Sequence, residues 1–189
     1  MKRRGPVALL DANVLYAASV RDLLLRLAQG GLLAPHWSEE IHNEWTRNLL
    51  RNRPDLLPQA IERTRALMDL AFPLANVRGY ECHLPSIELP DPGDAHVLAA
   101  AIEYGADVIV TCSLCDFPTG ALVPHGVAAM HPDELVCRLV DANPSAVRRV
   151  VAEYRAKLRK PPKTADEYLD DLIRCGLTKT ARRLRDLGI

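Results

Sequence analysis

Leu89-Pro-Asp-Pro-Gly-Asp-Ala-His-Val-Leu-Ala-Ala-Ala-Ile-Glu-Tyr-Gly105, followed at once by Ala106-Asp-Val-Ile-Val-Thr111, decides the fold class of this chain. The first part predicts a helix with marked ends. Asp91 stands where an N-cap belongs, Pro92 at the first helical position, and Gly105 just past the last periodic residue. Between them Val97 to Ile102 is wholly apolar, which suits a helix packed between other elements. Asp94 falls in the first turn, near unpaired backbone N–H groups and the positive end of the helix dipole. The second part, Asp107 to Thr111, predicts a strand from its β-branched content.

The same alternation extends in both directions. Val7-Ala-Leu-Leu10 is a short apolar run that ends at Asp11, with Asn13 two residues on, and reads as a buried first strand. Leu15 to Gln29 has helical spacing and stops at Gly30-Gly31, and Leu32–Ala34 is the candidate second strand. Ser38 caps a helix that is acidic in its first turn (Glu39, Glu40) and carries Ile41, Trp45, Leu49 and Leu50 along one side. Glu44 shares a face with Glu40 on that helix. Gln59 to Ala71 predicts another amphipathic helix. Phe72 to Pro90 reads as irregular with room for one strand, Val127–Met130 as the last strand, and Pro132–Val140 as a helix. Strand and helix alternating through short links predict an α/β fold with a parallel sheet, right-handed crossovers, and ligands gathered outside the carboxyl ends of the strands. Asp11 and Asp116 fall at that edge. Asp94 reaches it only if the chain loops there before its helix, and Glu44 could reach in from a covering helix.

Beyond Asn143-Pro144 the pattern changes to helices alone. Val147, Val150, Val151, Tyr154 and Leu158 form one apolar stripe, Pro161-Pro162 breaks it, and Thr164-Ala-Asp-Glu167 is a capping box that opens a second helix ending at Gly176. A third helix spans Lys179 to Asp186. The charge distribution changes at the same place. Net charge is zero, yet residues 145–189 hold twelve Arg or Lys against six acids, and residues 1–144 hold twelve against eighteen. A basic tail on an acidic body is a partner-contact signal, and a solvated helix face explains it equally well.

The whole-chain balance therefore gives no argument for nucleic acid. The apolar run after the basic N-terminus is broken at Asp11, and no stretch is long enough to cross a membrane, which predicts a soluble, cytoplasmic protein. Five cysteines in 189 residues form no disulfide framework and fit a reducing compartment. Cys112-x-x-Cys115 lacks a second pair at zinc spacing, and no glycine-rich phosphate loop is present. His96 reads as a hydrogen-bonded structural residue, with a phosphate contact as the other reading. Arg47, Arg51 and Arg53 follow Glu44 and are candidates for RNA-backbone contacts or for a solvated face.

Asp11, Glu44, Asp94 and Asp116 share one feature: the only lysine in residues 1–144 is Lys2. An oxygen-rich, lysine-poor pocket suits a hard divalent cation such as Mg²⁺ or Mn²⁺. Taken singly, each acid is equally well a cap or a surface group. Four ordered motifs carry the point further: Leu9-Leu-Asp-Ala-Asn-Val-Leu15, Trp37-Ser-Glu-Glu-Ile-His-Asn-Glu-Trp45, Asp91-Pro-Gly-Asp-Ala-His-Val-Leu-Ala-Ala-Ala101 and Val110-Thr-Cys-Ser-Leu-Cys-Asp-Phe-Pro118. Together they resemble the PIN-domain ribonucleases, most closely the VapC-type toxins with a helical C-terminal extension. The resemblance implies a PIN-like three-layer fold over residues 1–142, an extension over 143–189, and Mg²⁺-dependent (or Mn²⁺-dependent) endoribonuclease activity toward RNA. It also implies a cognate antitoxin and a homodimer. Its acidic quartet falls on Asp11, Glu44, Asp94 and Asp116, with Asn13 and Ser113 at supporting polar positions and Glu40 as the competitor of Glu44. Ser113 stands where these proteins commonly have Asn, Cys115 where Lys is frequent, and Ala95 where Arg is frequent. Two readings remain beside it: a PIN fold that binds RNA or protein without cleaving, and a structure-specific DNA nuclease.

Overall fold

β1 (Val7–Leu10) occupies the middle of a five-stranded, all-parallel sheet with the order β3-β2-β1-β4-β5. A computed structural model describes residues 5–157 and 163–189 of the chain. Ala8, Leu9 and Leu10 are fully buried, as a strand covered on both faces requires. The other strands are β2 (Ala34–Ser38), β3 (Asn76–Val77), β4 (Val108–Val110) and β5 (Ala128–Met130). β1 pairs with β2 on one side and β4 on the other, so the strand order reverses direction between β1 and β4. The crevice at such a reversal, outside the carboxyl ends, is where open α/β sheets bind ligands.

The first crossover differs from expectation. In place of one helix from Leu15 there are two, α1 (Ala12–Tyr16) and α2 (Ala18–Gln29), with Ala17 extended between them. The break is tolerated because buried Arg21 donates from Nη1 to the Leu15 carbonyl at 2.7 Å, satisfying an orphan acceptor at the end of α1. The second strand begins at Ala34 instead of Leu32. Gly31 and Leu32 are used to finish α2, donating to the Ala28 and Leu27 carbonyls, with Gly31 at φ 73°. Pro35 lies inside β2 without harm. Ala34 and Trp37 donate in opposite directions, to Pro6 and to Ala75, so Pro35 faces the β3 side at a level where β3 has not yet started.

α3 (Glu39–Asn52) starts at Ser38, whose hydroxyl accepts from Ile41 N as anticipated. A buried polar network holds α3 on α4 (Pro58–Ala71). Trp45 Nε1 donates to His42 Nδ1 at 2.9 Å, so His42 Nε2 carries the proton and donates to Asp69 Oδ1 at 3.1 Å; Trp37 Nε1 donates to the same oxygen at 3.0 Å. Burial pushes the His42 imidazole below its usual pKa, in keeping with the neutral tautomer. A 3-10 segment (Tyr80–Ser86) and a 3-10 turn (Pro92–Asp94) lead into α5 (Ala95–Tyr104), which packs on the sheet through Val97–Ala101 and ends at Gly105 in the left-handed region. α6 (Thr119–Leu122) links β4 to β5.

The extension packs on the body. α7 (Pro132–Ala142) is followed by α8 (Pro144–Lys157), whose Val147, Val151 and Tyr154 are buried. Tyr154 donates to Asp22 of α2 at 3.0 Å, carries Arg26 over its ring and meets Tyr168 edge-on. Leu158 and the Pro161-Pro162 break lie outside the described residues. The capping box of α9 (Ala165–Arg174) is present, with Thr164 Oγ1 accepting from Glu167 N and Glu167 accepting from Thr164 N. α10 (Thr178–Asp186) is capped from a distance: buried Asp133 of α7 accepts from Lys179 N at 3.0 Å and Thr180 N at 2.7 Å. Much of the tail's positive charge is used internally. Arg148 donates to the Leu187 carbonyl, Arg183 pairs with Asp141, Arg185 with Asp166, and Lys163 and Arg174 with Asp171.

Candidate active site

Asp11 follows β1 directly, and Thr111 follows β4, so the two flank the crevice at the strand-order reversal. Asp11 is only 4% exposed. Its Oδ1 accepts from Ala12 N at 2.6 Å, capping α1. Its Oδ2 accepts from Asn13 Nδ2 at 2.7 Å and from the Thr111 hydroxyl at 2.7 Å. Asn13 also contacts Thr111 Oγ1 at 3.0 Å and Ser113 Oγ at 3.4 Å, and its Oδ1 accepts from Cys112 N. Asn13 and Ser113 thus lie in one hydrogen-bonded cluster with Asp11 and Thr111. Desolvation raises the Asp11 pKa and Glu44 adds to it, against the opposing pull of Thr111, Ala12 N and His96. Three of about four carboxylate lone-pair sites are taken, and the one left belongs to Oδ1.

Asp94 ends the 3-10 turn and precedes α5. Asp91, not Asp94, makes the cap bond, to Gly93 N at 2.8 Å, and the Asp94 carboxylate makes no cap contact. Its pKa is pushed up to about 6, first by desolvation, then by Asp11, Asp116, Asp91 and Glu44. That set of neighbours brings three elements onto one carboxyl group. Asp116 arrives on a 3-10 turn (Leu114–Asp116) after β4, where buried Phe117 draws the turn onto the core.

Glu44 reaches in from α3 and meets His96 Nε2 at 3.5 Å, while Glu40 lies 4.0 Å from His96 Nδ1 and accepts from the Tyr80 hydroxyl at 3.3 Å. Burial alone would depress the His96 pKa, but Glu44, Glu40 and Asp11 raise it overall, which favours the protonated ring among these acids. Glu39, Glu40, Asn43, Glu44, Arg47 and Asp94 help line an open groove of about 690 Å³, and Arg51 lines the adjoining cleft with Asn13 and Glu44. Arg53 is paired with Asp55.

The four acids converge loosely. Among the described residues, no three of them bring ligand atoms within 4.8 Å of one another. An all-oxygen ring of this spread fits a hydrated hard cation, since Mg²⁺ keeps several waters and takes only one or two carboxylates directly. The mutual repulsion that raises Asp94 is what such a cation would relieve. The basic surface of α8 lies elsewhere: Arg149 lines a cleft of about 950 Å³ with Gly5, Pro6, Leu32 and Asp107, at the amino edge of the sheet.

Thr111 is the site residue that inspection of the sequence overlooked. Its only signal is a hydroxyl at the end of an otherwise aliphatic strand. None of the five cysteines is disulfide-bonded. Among the described residues no helix is long and apolar enough to cross a membrane.

Comparison with known proteins agrees with this architecture. A protein of Mycobacterium tuberculosis described as "Putative ribonuclease VapC50" is 39% identical over 79 residues, covering 42% of this chain and 47% of that protein, so the similarity spans about half of the relative. No solved structure matches significantly. The family model described as VapC50 C-terminal domain matches residues 132–186. The family model described as PIN domain matches residues 7–112, more than half of the chain, and with its parallel sheet and acids at the strand-order reversal this protein belongs to the PIN-domain family.

Proposed function

We propose that this protein is a Mg²⁺-dependent endoribonuclease, the toxin of a type II toxin–antitoxin pair, with residues 1–142 as nuclease body and 143–189 as helical extension. The observation that carries the reading is the placement of Asp11 behind β1 and Asp116 on the turn after β4, at the carboxyl edge where the strand order reverses, with Asp94 and Glu44 together lining the open groove. The similarity to a protein described as a ribonuclease supports the substrate class. Mn²⁺ serves the same donor set.

Asp11, Asp94 and Asp116 would hold the cation, directly or through water, and Glu44 would complete the cage or position the water. When bound, the ion supplies charge stabilisation for the phosphodiester and lowers the pKa of an attacking water. The chain's own groups do the rest. Thr111 and Asn13 hold the Asp11 carboxylate in place, so it is oriented before RNA arrives. His96 meets Glu44 from the side and, when protonated, offsets part of the acidic field that would repel RNA phosphates. Arg47 extends the groove with a cation able to contact the backbone. Antitoxin binding and homodimer formation are further parts of the proposal, resting on the family alone.

The test is incubation of the full-length protein with a mixed tRNA and rRNA pool, followed by mapping of cut sites. Discrete cuts with Mg²⁺ that disappear in EDTA are expected, and Asp11→Asn should abolish growth arrest on induced expression. An intact pool after exposure to folded protein in Mg²⁺ would overturn the assignment.

A further inference from the structure

Among the described residues, one group of side chains does bring three metal-ligand atoms within 4.8 Å of one another, and it lies outside the acidic site. It consists of Cys82, His83 and Glu103. Cys82 and His83 sit on the 3-10 segment Tyr80–Ser86, and Glu103 on the last turn of α5, the helix against which that segment packs. His83 Nε2 and Glu103 Oε2 are 2.8 Å apart, and Cys82 Sγ lies 3.4 Å from the Gly79 carbonyl. Gly79 adopts φ 79°, the left-handed turn that starts the segment.

We propose that Cys82, His83 and Glu103 form a second, soft metal site that binds Zn²⁺ and clips the 3-10 segment to α5. The donor set differs in kind from the acidic quartet. Thiolate, imidazole and one carboxylate suit Zn²⁺, whereas an all-oxygen ring suits Mg²⁺ or Mn²⁺. The spacing also fits. Tetrahedral Zn²⁺ with bonds of about 2.0–2.3 Å separates its ligand atoms by roughly 3.3–3.6 Å. The His83–Glu103 pair need open by only about half an ångström, a shift that a partly exposed glutamate at a helix end makes readily. Binding releases the Cys82 thiol proton to solvent, and the His83 Nε2 proton moves to Nδ1 in the neutral ring or to solvent from the imidazolium, so that two metal bonds replace the N–H···O bond between His83 and Glu103. The fourth position is left to water.

The clip has a reason to matter at its location. Tyr80 opens the same 3-10 segment, lines the acidic groove and donates to Glu40, so anchoring Cys82 and His83 fixes one wall of the groove from behind. Neither the ligands nor the test depends on the nuclease reading.

Titration of the full-length, reduced protein with Co²⁺ in excess Mg²⁺ tests the site. A thiolate-to-cobalt charge-transfer band in the near ultraviolet should saturate at one equivalent, vanish on addition of Zn²⁺, be absent in Cys82→Ser, and persist in the Cys112→Ser, Cys115→Ser double variant. Zn²⁺ at a hundredfold excess over its Kd should raise the Tm by roughly 5–10 °C in wild type and not in Cys82→Ser. His83→Ala and Glu103→Gln should each weaken Co²⁺ binding at least tenfold. Absence of the band in wild type, its survival in Cys82→Ser, or its loss in the double variant would overturn the assignment. All these positions are at least partly exposed, so the variants fold.

Discussion

Thr111 shows how much one hydroxyl can organise. It donates to Asp11 Oδ2 and accepts from Asn13 Nδ2 and Ser113 N, so three of the site's polar groups depend on an oxygen that is fully buried. Thr111→Val keeps shape and strand propensity but leaves Ser113 N without its acceptor and takes one bond each from Asp11 Oδ2 and Asn13 Nδ2, which still bond each other. The expected cost is about 1–3 kcal/mol in chemical denaturation, with a further rise in the Asp11 pKa and weaker Mg²⁺ binding. Asp94 makes a second, pH-dependent prediction. Its carboxyl titrates at about 6 when folded, against an ordinary 3.8. The folded state therefore holds this proton where the unfolded chain has lost it, and the associated stability is present below about pH 4 and lost as pH rises through about 6. In EDTA the wild-type Tm should fall across that window. Asp94→Asn should flatten the fall and be the more stable protein at pH 7, and an unchanged pH profile would argue against the crowding of acids.

Elements are held where they are by a few long-range polar contacts as much as by apolar area. α3 carries both Glu40 and Glu44, and its position rests on the His42–Asp69–Trp37–Trp45 network. The fold thereby spends buried polar groups on fixing a helix that must present acids at a set distance from the sheet. In the extension, α10 has no side-chain cap of its own, and Asp133 of α7 caps it across a turn of chain more than forty residues long. Asp133→Ala should cost about 2–3 kcal/mol, because two backbone N–H groups lose a charged acceptor at a largely buried site. Hydrogen exchange should rise first in α10. Exchange that rises uniformly over the whole chain would show that α10 does not unfold as a local unit.

At the scale of the molecule, the parts that were legible in the sequence are those set by local physics. β1, β4 and β5 are short apolar runs, the ends of α3, α5 and α9 carry caps, and Asp11 and Asp116 lie at the carboxyl edge because they follow buried strands. Features set by distant partners were not legible. Pro35 and His36 read as non-strand residues until β3 is seen to begin beyond them, and the split between α1 and α2 depends on a buried arginine reaching back to Leu15. Thr111 and Asp69 look ordinary because their partners are 98–100 and 27–32 residues away. The basic tail, legible as a charge shift, pairs several of its cations within the extension or with Asp141 of α7 and presents Arg149 at the amino edge, away from the acids. On the proposed reading, RNA contact falls to the body, where Arg47 lines the acidic groove and Arg51 the adjoining cleft.

The most direct test of the central claim is the single-turnover rate of RNA cleavage in Mg²⁺ by wild type and by Asp94→Asn, with both shown to be folded by circular dichroism. Loss of a group that holds the cation and aligns the phosphate predicts a fall of about a hundredfold or more. Cleavage by Asp94→Asn at the wild-type rate, still abolished by EDTA, would contradict the assignment of this carboxyl edge as the active site.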